Sequence, residues 1–593
     1  MPLPLPSLPT LDVHHDHREL IAHHLRRQLD FVRQPELLYP WWRRCTTTVL
    51  VVTDGGLDFG DGDFGLSTFI RTLRDRAPGY TRFEITLGHI SNVSDARMFG
   101  TEAGVARRIK SFRFDNASHF TPDMYDQVWL FGVAATYNTE TPPEGRAGTT
   151  GLLDDEVAKI QQHMERGGGL FATGDHGALG KAQCSRIPRV RSMRRWDHYP
   201  GSSESVSEVG MTGPRRNDTN QIGHDPGSQF SDQSDDIPQR LDLKLYSTRI
   251  DALRTARYPH PIFCGRSGRI DVFPDHPHEG ECREPASFLS AINGLPEYPA
   301  GSDGQPLKPE IVARGRVVAG NNARGTKTPT QAHDFGVASA YDGHRVADRA
   351  RGRIVCDSTW HHYVNVNLIG VVEGLGFDEF DEALAAGTPD HPSKHNGFLA
   401  STAGRAVLAK IQNHYTNVAV WIAPPERIAC YHHALWWQIT FHDRITEATL
   451  FDPDVSLEKI PVAVLSQIGA HARDVLGRRT SVCQTLEWEL GWLRDLRLIE
   501  KAWIDPWDPI ARLPEEVKED LPLPVFDARA IFDAALGGAL VAMRHACPEP
   551  PDEFDARLDK KLHGVRLEGA QWAMKQARAQ VAEQARDFIA NFT

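Results

Sequence analysis

The stretch from Glu165 to Gly180, ERGGGLFATGDHGALG, constrains the fold more than any other part of the 593 residues. Its three consecutive glycines are typical of a helix end, and the apolar residues 170–173 that follow predict a short buried strand. The strand enters a tight turn, residues 174–177, before a predicted second helix. A strand that runs into a glycine-flanked turn presents the central side chain at the top of a sheet, as in a nucleophile elbow. Here that side chain is His176, neither serine nor cysteine.

Other apolar runs alternate with helical patterns and predict an α/β domain over residues 44–374. The run at 47–52 is continuous and rich in β-branched residues, as strands covered on both faces are. Residues 155–166 predict a helix with one apolar face. Further strands are predicted at 83–86, 127–131, 269–273, 311–313, 316–318, 335–340 and 353–356. This alternation predicts a doubly wound, mostly parallel sheet.

The remaining residues predict an extension, an insertion, a linker and a helical domain. Residues 1–43 form the N-terminal extension, and residues at about 185–245, rich in Gly, Ser, Asn and Asp, predict a long irregular insertion. Residues 375–400, with GTPDHPSKHNG at their core, predict a linker. From 401 to 593 the pattern is helical, so we expect an all-helical C-terminal domain.

The acidic charge balance makes a nucleic-acid-binding function unlikely. The formal net charge is −12, whereas nucleic-acid-binding surfaces are usually basic. The arginine run between Arg186 and Arg195 is more typical of a solvated or salt-bridged loop than of a basic binding patch.

Cysteine usage and the terminal sequence predict a cytoplasmic protein without a membrane contact. The 8 cysteines are scattered without a C-x-x-C pair, so we expect free thiols rather than a disulfide framework or a zinc ribbon. The proline-broken N-terminus, MPLPLPSLPTL, lacks the basic region of a signal peptide. No apolar run reaches the roughly 18 residues of a membrane span.

Titratable side chains follow the predicted strands where each strand ends. In an open parallel sheet, ligands bind outside the carboxyl ends of the strands. We therefore expect these side chains to converge on one cleft. They are Asp54, Asp175 with His176, the segment 275–279, Asp342 with His344, and His361 with His362.

The densest potential ligand set is Asp275, His276, His278 and Glu279. Histidine and carboxylate together suit Zn, Mn or Fe, and two histidines one residue apart on an extended segment point to the same side. The H-E-x-x-H spacing of a helical zinc site is missing. The alternatives are acid/base histidines without metal, or a polar turn held by hydrogen bonds.

The glycine-rich loop after the first strand, residues 54–65, is not a phosphate loop. It lacks the G-K-[ST] ending, and its aspartates would repel phosphate. The loop suits a cation or a sugar hydroxyl, or is simply a flexible acidic loop.

The first 370 residues resemble the class I glutamine amidotransferase-like fold and, within it, the ThuA-like (trehalose-utilisation) group. The resemblance rests on Val51-Val52-Thr53-Asp54, on GGGLFATGDHGALG at 167–180 and on DSTWHHYVNVNL at 357–368. It implies that His176 replaces the elbow cysteine of the amidotransferases, which removes glutaminase activity. It also implies a link to carbohydrate metabolism, and it does not extend to the helical C-terminal third.

Two functional hypotheses follow. The first is an enzyme that acts on a small polar substrate, such as a carbohydrate derivative, by acid/base hydrolysis or isomerisation, with or without a divalent metal. Its catalytic residues would be His176, Asp175, His361 and His362, and its substrate-binding residues Asp54, Asp342, His344 and Trp360. The second is a catalytically silent ligand-binding or scaffold protein, whose helical domain binds a protein partner or self-associates. An exposed patch of Trp436, Trp437, Trp488 and Trp492 would favour this second hypothesis, whereas their burial in a core would not.

Overall fold

The structure is a computed structural model. It describes residues 44–137, 143, 145–146, 149–175, 178–196, 239–249, 255–265, 268–274, 280–285, 296–317, 333–370, 397–400, 402–449, 455–479, 481, 484, 488, 528–548 and 556–592.

A nine-stranded sheet forms the centre of the described chain. Six neighbouring strands run parallel in the order β3-β2-β1-β4-β5-β15, and antiparallel pairing adds β14, β13 and β7. The strands are β1 (Cys45–Thr53), β2 (Thr81–His89), β3 (Val105–Ile109), β4 (Gln127–Phe131), β5 (Gly169–Thr173), β6 (Gln239–Arg240), β7 (Asp242–Leu243), β8 (Leu245–Arg249), β9 (Thr255–Pro259), β10 (Cys264–Gly265), β11 (Gly268–Arg269), β12 (Val272–Phe273), β13 (Glu310–Val317), β14 (His333–Tyr341) and β15 (Ile354–Asp357). The predicted mostly parallel α/β sheet is confirmed.

Helices cover both faces of this sheet and form the C-terminal region. They are α1 (Ser67–Asp75), α2 (Asp154–Glu165), α3 (Lys181–Cys184), α4 (Val190–Met193), α5 (Asn365–Ile369), α6 (Thr402–Trp421), α7 (Pro425–Thr440), α8 (Asp443–Ala448), α9 (Val462–Arg479), α10 (Ala528–Ala546) and α11 (Ala556–Phe592). The predicted helix at 155–166 is α2, shifted by one residue.

Alternating side chains of β1 build two separate cores. Val49 and Val51 pack into a cluster that contains Phe69 of α1. Leu50 and Val52 point to the opposite face and pack into a cluster that contains Ile160 of α2. Successive side chains of a strand point to opposite faces, so a continuous apolar run is required where helices cover both.

The strand order reverses between β1 and β4. The chain passes from β1 outward to β2 and β3 and then returns to place β4, β5 and β15 on the other side of β1. In open α/β sheets, ligands bind at such a reversal, outside the carboxyl ends of the strands. A ligand site is therefore expected among the loops that follow β1, β4, β5 and β15.

The first C-terminal helices pack directly on the sheet. Val418 in the last turn of α6 and Ile422 directly after the helix belong to the same core cluster as β1. Gln127 of β4 donates a hydrogen bond to the carbonyl oxygen of Ala419, and Arg427 of α7 pairs with Asp126 at 3.0 Å. The predicted linker at 375–400 lies outside the described residues except for 397–400, so the proposed domain boundary stays a prediction.

Helices α9, α10 and α11 pack against one another beyond this layer. A Cβ atom at Gly538 of α10 would lie 2.5 Å from the carbonyl oxygen of Gly569 in α11. Such a close approach of two helix backbones requires glycine.

The described part of the predicted insertion contributes residues to the core. Ile187, Val190 and Met193 are fully buried in the α2-side core, whereas residues 197–238 lie outside the described chain. Within the described residues, no helix is long and apolar enough to cross a membrane.

The expectation of free thiols alone is wrong. Cys45 at the start of β1 and Cys430 in α7 form a disulfide, with their Cα atoms 6.1 Å apart, and Cys264 is also disulfide-bonded. The pair is 385 positions apart in the sequence, so spacing did not reveal it. Packing of α7 against β1 brings the two thiols together.

Candidate functional site

The turn after β5 and the segment after β15 lie side by side at the carboxyl edge of the sheet. The two strands pair in parallel, with Thr173 opposite Asp357. The backbone N–H of Trp360 donates a 3.0 Å hydrogen bond to the carbonyl oxygen of Gly174. The predicted convergence of these two segments is therefore confirmed, although His176 itself lies outside the described residues.

Asp175 is buried and held in one orientation. Its Oδ1 accepts a 2.8 Å hydrogen bond from the Thr359 hydroxyl, and its Oδ2 lies 3.4 Å from Nε2 of His361. Only 1% of the Asp175 side chain is exposed. A buried carboxylate fixed by a hydroxyl can orient an imidazole and stabilise its protonated form.

His361 is partly exposed, with 12% of its side chain accessible to solvent. Its ring stacks on the indole of Trp360, with centroids 4.1 Å apart. Its Nδ1 lies 3.4 Å from the Asn367 side-chain nitrogen, which is a donor. With the Asn367 nitrogen facing Nδ1, a neutral His361 ring carries its proton on Nε2, the nitrogen nearer to Asp175, and Nδ1 holds the lone pair.

The aromatic side chain open to a ligand is Phe64, 46% exposed. It meets the rings of Trp360 and His361 edge-on, at 5.9 and 6.5 Å between centroids. Trp360, predicted to pack on the substrate, is buried, and one face of its indole is covered by His361.

His362 points into the core instead of the cleft. Its Nδ1 donates to Oδ1 of Asp357 at 2.7 Å, and the Tyr363 hydroxyl donates to Oδ2 at 3.1 Å. The His362 ring lies 4.4 Å from Phe273, and only 1% of its side chain is exposed. Its environment is that of a structural residue, unlike that of its neighbour His361.

Asp54 lies at the strand-order reversal, beneath the surface. Its Oδ1 accepts hydrogen bonds from the backbone N–H groups of Val133 and Ala134, at 2.6 and 2.9 Å. Its Oδ2 has no hydrogen-bond partner among the described residues. Burial raises the pKa of Asp54 to about 6. With 1% exposure, it supports the loop after β4 rather than contacting a ligand in this conformation.

The glycine-rich loop after β1 is tied down by arginines. Asp58 pairs with Arg97 at 3.1 Å, and Asp61 pairs with Arg71 at 2.7 Å. The Asn365 side chain donates to the carbonyl oxygens of residues 60 and 62. The predicted cation site is not supported for Asp58 and Asp61, because guanidinium groups already neutralise these carboxylates.

The prediction that Asp342 and His344 join the cleft is wrong. They follow β14, which pairs antiparallel with β15, so that Tyr341 lies opposite Ile354 at the start of β15. The end of β14 is therefore at the other edge of the sheet. There Asp342 accepts hydrogen bonds from Arg345 and Arg353, at 2.8 Å each.

The electrostatics of this second edge are those of a closed ion-pair cluster. Burial alone would raise the pKa of Asp342, but the charges of Arg353 and Arg345 outweigh it and hold the pKa far below its usual range. Burial, with the charge of Arg353, lowers the pKa of His344 to about 3. Both groups have structural rather than substrate-binding environments.

The predicted metal set, Asp275, His276, His278 and Glu279, lies outside the described residues. Its neighbour Gly280 is described, and a Cβ atom there would collide with the carbonyl oxygen of Ser358. The segment therefore ends beside the loop after β15. Within the described chain, no group of three or more His, Cys, Asp or Glu side chains could hold a metal ion.

Sequence reasoning missed Arg194, which lies under the site and is fully buried. The arginine run was expected to be solvated or salt-bridged, and Arg186, Arg189, Arg191 and Arg195 do form ion pairs. Arg194 instead binds backbone carbonyl groups. Nothing in the local sequence distinguishes it from its neighbours.

Comparisons with known proteins leave the site to be interpreted from its own geometry. No protein-family model matches the chain, and neither a curated protein nor a solved structure matches it significantly.

Proposed function

We propose that this chain is an enzyme that acts on a small polar, carbohydrate-like substrate by acid/base chemistry, as a hydrolase or an isomerase. The observation that carries the proposal is the Asp175–His361 pair: a buried, hydroxyl-fixed carboxylate against a partly exposed imidazole. A base oriented by a fixed acid is the arrangement used for general acid/base catalysis. The exposed ring of Phe64 beside it suits the apolar face of a sugar.

The chemistry assigned to His361 follows from its two nitrogens. Nδ1 takes a proton from the substrate or from a water molecule once the Asn367 amide nitrogen, which faces the same lone pair, turns away, and the positive charge that forms on the ring is stabilised by Asp175. In isomerisation, the imidazolium returns the proton to a neighbouring carbon or oxygen. In hydrolysis, the activated water attacks, and the imidazolium protonates the leaving group.

The class I glutamine amidotransferase-like fold, and the ThuA-like group within it, are part of the same proposal. In its favour are the strand order on either side of β1 and the glycine-flanked turn directly after β5. A histidine in that turn, His176, is a second candidate for base or ligand. The proposal excludes a covalent glutaminase step, since no cysteine occupies the turn.

A divalent metal held by Asp275, His276, His278 and Glu279 remains part of the proposal as an open alternative. The test is the metal content, by mass spectrometry, of gently purified untagged protein beside a His276→Ala/His278→Ala double variant. Near-stoichiometric Zn, Mn or Fe that the variant loses would support the metal. Its absence from both folded proteins would leave acid/base chemistry without metal.

The scaffold alternative gains no support from the tryptophans. Trp436, Trp437 and Trp488 are each at least 96% buried, so these three form no exposed patch; Trp492 lies outside the described residues. Self-association, or a protein partner, through the helical region stays a prediction.

The experiment that tests the enzyme proposal uses a panel of reducing sugars and sugar lactones in D₂O, followed by proton NMR. Abstraction of a proton next to a carbonyl exchanges it for deuterium, and lactone hydrolysis changes the spectrum directly. We expect activity in the wild type that His361→Gln and Asp175→Asn lose. His545→Gln, at an exposed histidine in α10, is the matched control and should retain it. Binding of panel members without exchange or hydrolysis would contradict the proposal and favour the silent binding protein.

A further inference from the structure

Arg194 contacts both of the segments that carry the Asp175–His361 pair. Its Nη2 donates to the carbonyl oxygen of Asp175 at 2.7 Å and to that of Ser358 at 2.6 Å. Its Nε donates to the carbonyl oxygen of Asp357 at 3.3 Å. One guanidinium group thus joins the turn after β5 to the loop after β15.

A third segment, residues 280–282, packs against the same Arg194 side chain. The backbone of Arg194 bridges to Cys282, and a Cβ atom at Gly280 would collide with Nη2 of Arg194. The segment that leads out of the predicted metal set is therefore also packed against this guanidinium. Only glycine at position 280 allows the approach.

The charge of Arg194 is not neutralised in the ordinary way. None of the described carboxylates forms an ion pair with it, and its other contacts are the carbonyl oxygen of Arg195 at 3.0 Å and the indole of Trp196 at 4.4 Å. Burial lowers the pKa of Arg194, which means that desolvation makes the cation costly. Replacing buried charges by apolar side chains of similar volume is often neutral or stabilising, so the contacts of Arg194 with the two loops suggest a role other than stability.

We infer that Arg194 is the positioning residue of the proposed site: its fork of donors sets the separation of the two loops and thereby holds Asp175 against His361. The inference rests on the proposed function, since it names what aligns the acid/base pair. Arg194 does not contact the cleft and acts only through the backbone of Asp175 and Ser358.

The test measures the His361 side chain itself and needs no substrate. Diethyl pyrocarbonate acylates unprotonated imidazole, and peptide-level mass spectrometry gives the rate at His361 as a function of pH. Among the described residues, Asp175, Asn367, Trp360 and Phe64 face His361. Exposed His545 in the same sample is the internal standard.

Arg194→Lys keeps the charge but loses the planar fork. We expect the pH midpoint of His361 acylation to fall by about half a unit, because Asp175 no longer stays close to the ring. At a pH below the midpoint, acylation should then be about threefold faster than in the wild type. Arg189→Met is the matched control: Arg189 is equally buried but binds Glu165 and the carbonyl oxygen of Glu297. It should lower thermal stability and leave the His361 midpoint unchanged.

An unchanged midpoint in folded Arg194→Lys overturns the inference. If that variant does not fold, Trp196→Leu replaces it, because it retains Arg194 and removes only the stacked indole. A smaller shift in the same direction supports the inference, and no shift overturns it. Both results are independent of turnover, so failure of the enzyme proposal in the sugar panel is a separate outcome.

Discussion

The two edges of the sheet carry the same residue types in opposite environments. At the carboxyl edge of β5 and β15, Asp175 is paired with a hydroxyl and with partly exposed His361. At the other edge, Asp342 is paired with two guanidinium groups, and His344 is held neutral beside them. A carboxylate saturated by fixed cations cannot assist proton transfer, whereas one that faces an imidazole can. Both edges contain an Asp and a His, so that pattern does not distinguish them. The group paired with the carboxylate, guanidinium at one edge and imidazole at the other, distinguishes the structural cluster from the candidate catalytic pair.

The largest expected effect concerns the catalytic edge. His361→Gln and Asp175→Asn should each lower kcat/KM on the substrate found in the panel about 10²- to 10⁴-fold, the usual contribution of a general acid/base group. His344→Gln, at the opposite edge, should leave kcat/KM unchanged. Steady-state kinetics of the three variants measure these effects. An equal loss of kcat/KM in His344→Gln and His361→Gln would contradict the assignment of only one edge to catalysis.

The next effect belongs to the structural edge. Arg353→Met leaves Asp342 without its principal partner and removes the 3.1 Å hydrogen bond to the carbonyl oxygen of Trp421. Breaking a buried pair typically lowers the free energy of unfolding by about 3–5 kcal/mol. Urea unfolding measures this, and Arg353→Met combined with Asp342→Asn should recover part of the loss. Destabilisation no larger than that of an exposed substitution would show that this cluster is not structural.

Asp54, a buried carboxyl without a cation bound to it, should make stability depend on pH. Its pKa is about 6 in the folded protein against about 4 when unfolded, so the folded chain binds the proton more tightly. The stabilisation is fully present below about pH 4 and is lost as the pH rises through 6. Asp54→Asn is neutral and retains an acceptor for Val133 and Ala134. It should equal the wild type at pH 4 and exceed it by about 3 kcal/mol at pH 8.

Urea unfolding between pH 4 and 8 compares the two proteins. A stability difference that stays constant over this range would show that Asp54 does not titrate there.

The smallest effect concerns ligand stacking. Phe64→Ala should raise KM a fewfold, about 1 kcal/mol, without changing kcat, since an aromatic contact contributes to binding rather than to proton transfer. Leu399→Ala, at a similarly exposed apolar side chain, is the control and should change neither constant. A fall in kcat for Phe64→Ala would instead indicate that Phe64 positions His361, whose ring it touches.

The compartment stays a prediction. Disulfides are rare in reducing cytosol, so the Cys45–Cys430 bond does not favour the cytoplasmic location expected from the terminal sequence. Thiol labelling of the native protein, with and without reduction, would establish whether the bond forms in the cell.

Local sequence determined the elements of this fold and part of its site. Continuous apolar runs predicted β1, β4, β5 and β15, because strands covered on both faces exclude polar residues. The three glycines before β5 and the turn after it located Asp175. Since parallel strands end at one edge, the same reasoning brought Asp175 and His361 together.

Only the tertiary structure decided the rest, because strand direction, burial and pairing depend on distant residues. An apolar run does not show in which direction its strand runs in the sheet. The sequence therefore could not predict that β14 is antiparallel to β15, nor that Asp342 and His344 lie away from the candidate site. Arg194 resembles its neighbours in sequence and differs in the carbonyl groups that surround it. Cys45 and Cys430 meet because α7 packs on β1. Whether an Asp and a His form a reactive pair or a structural contact depends on which distant residues pack around them, and local sequence does not encode that packing.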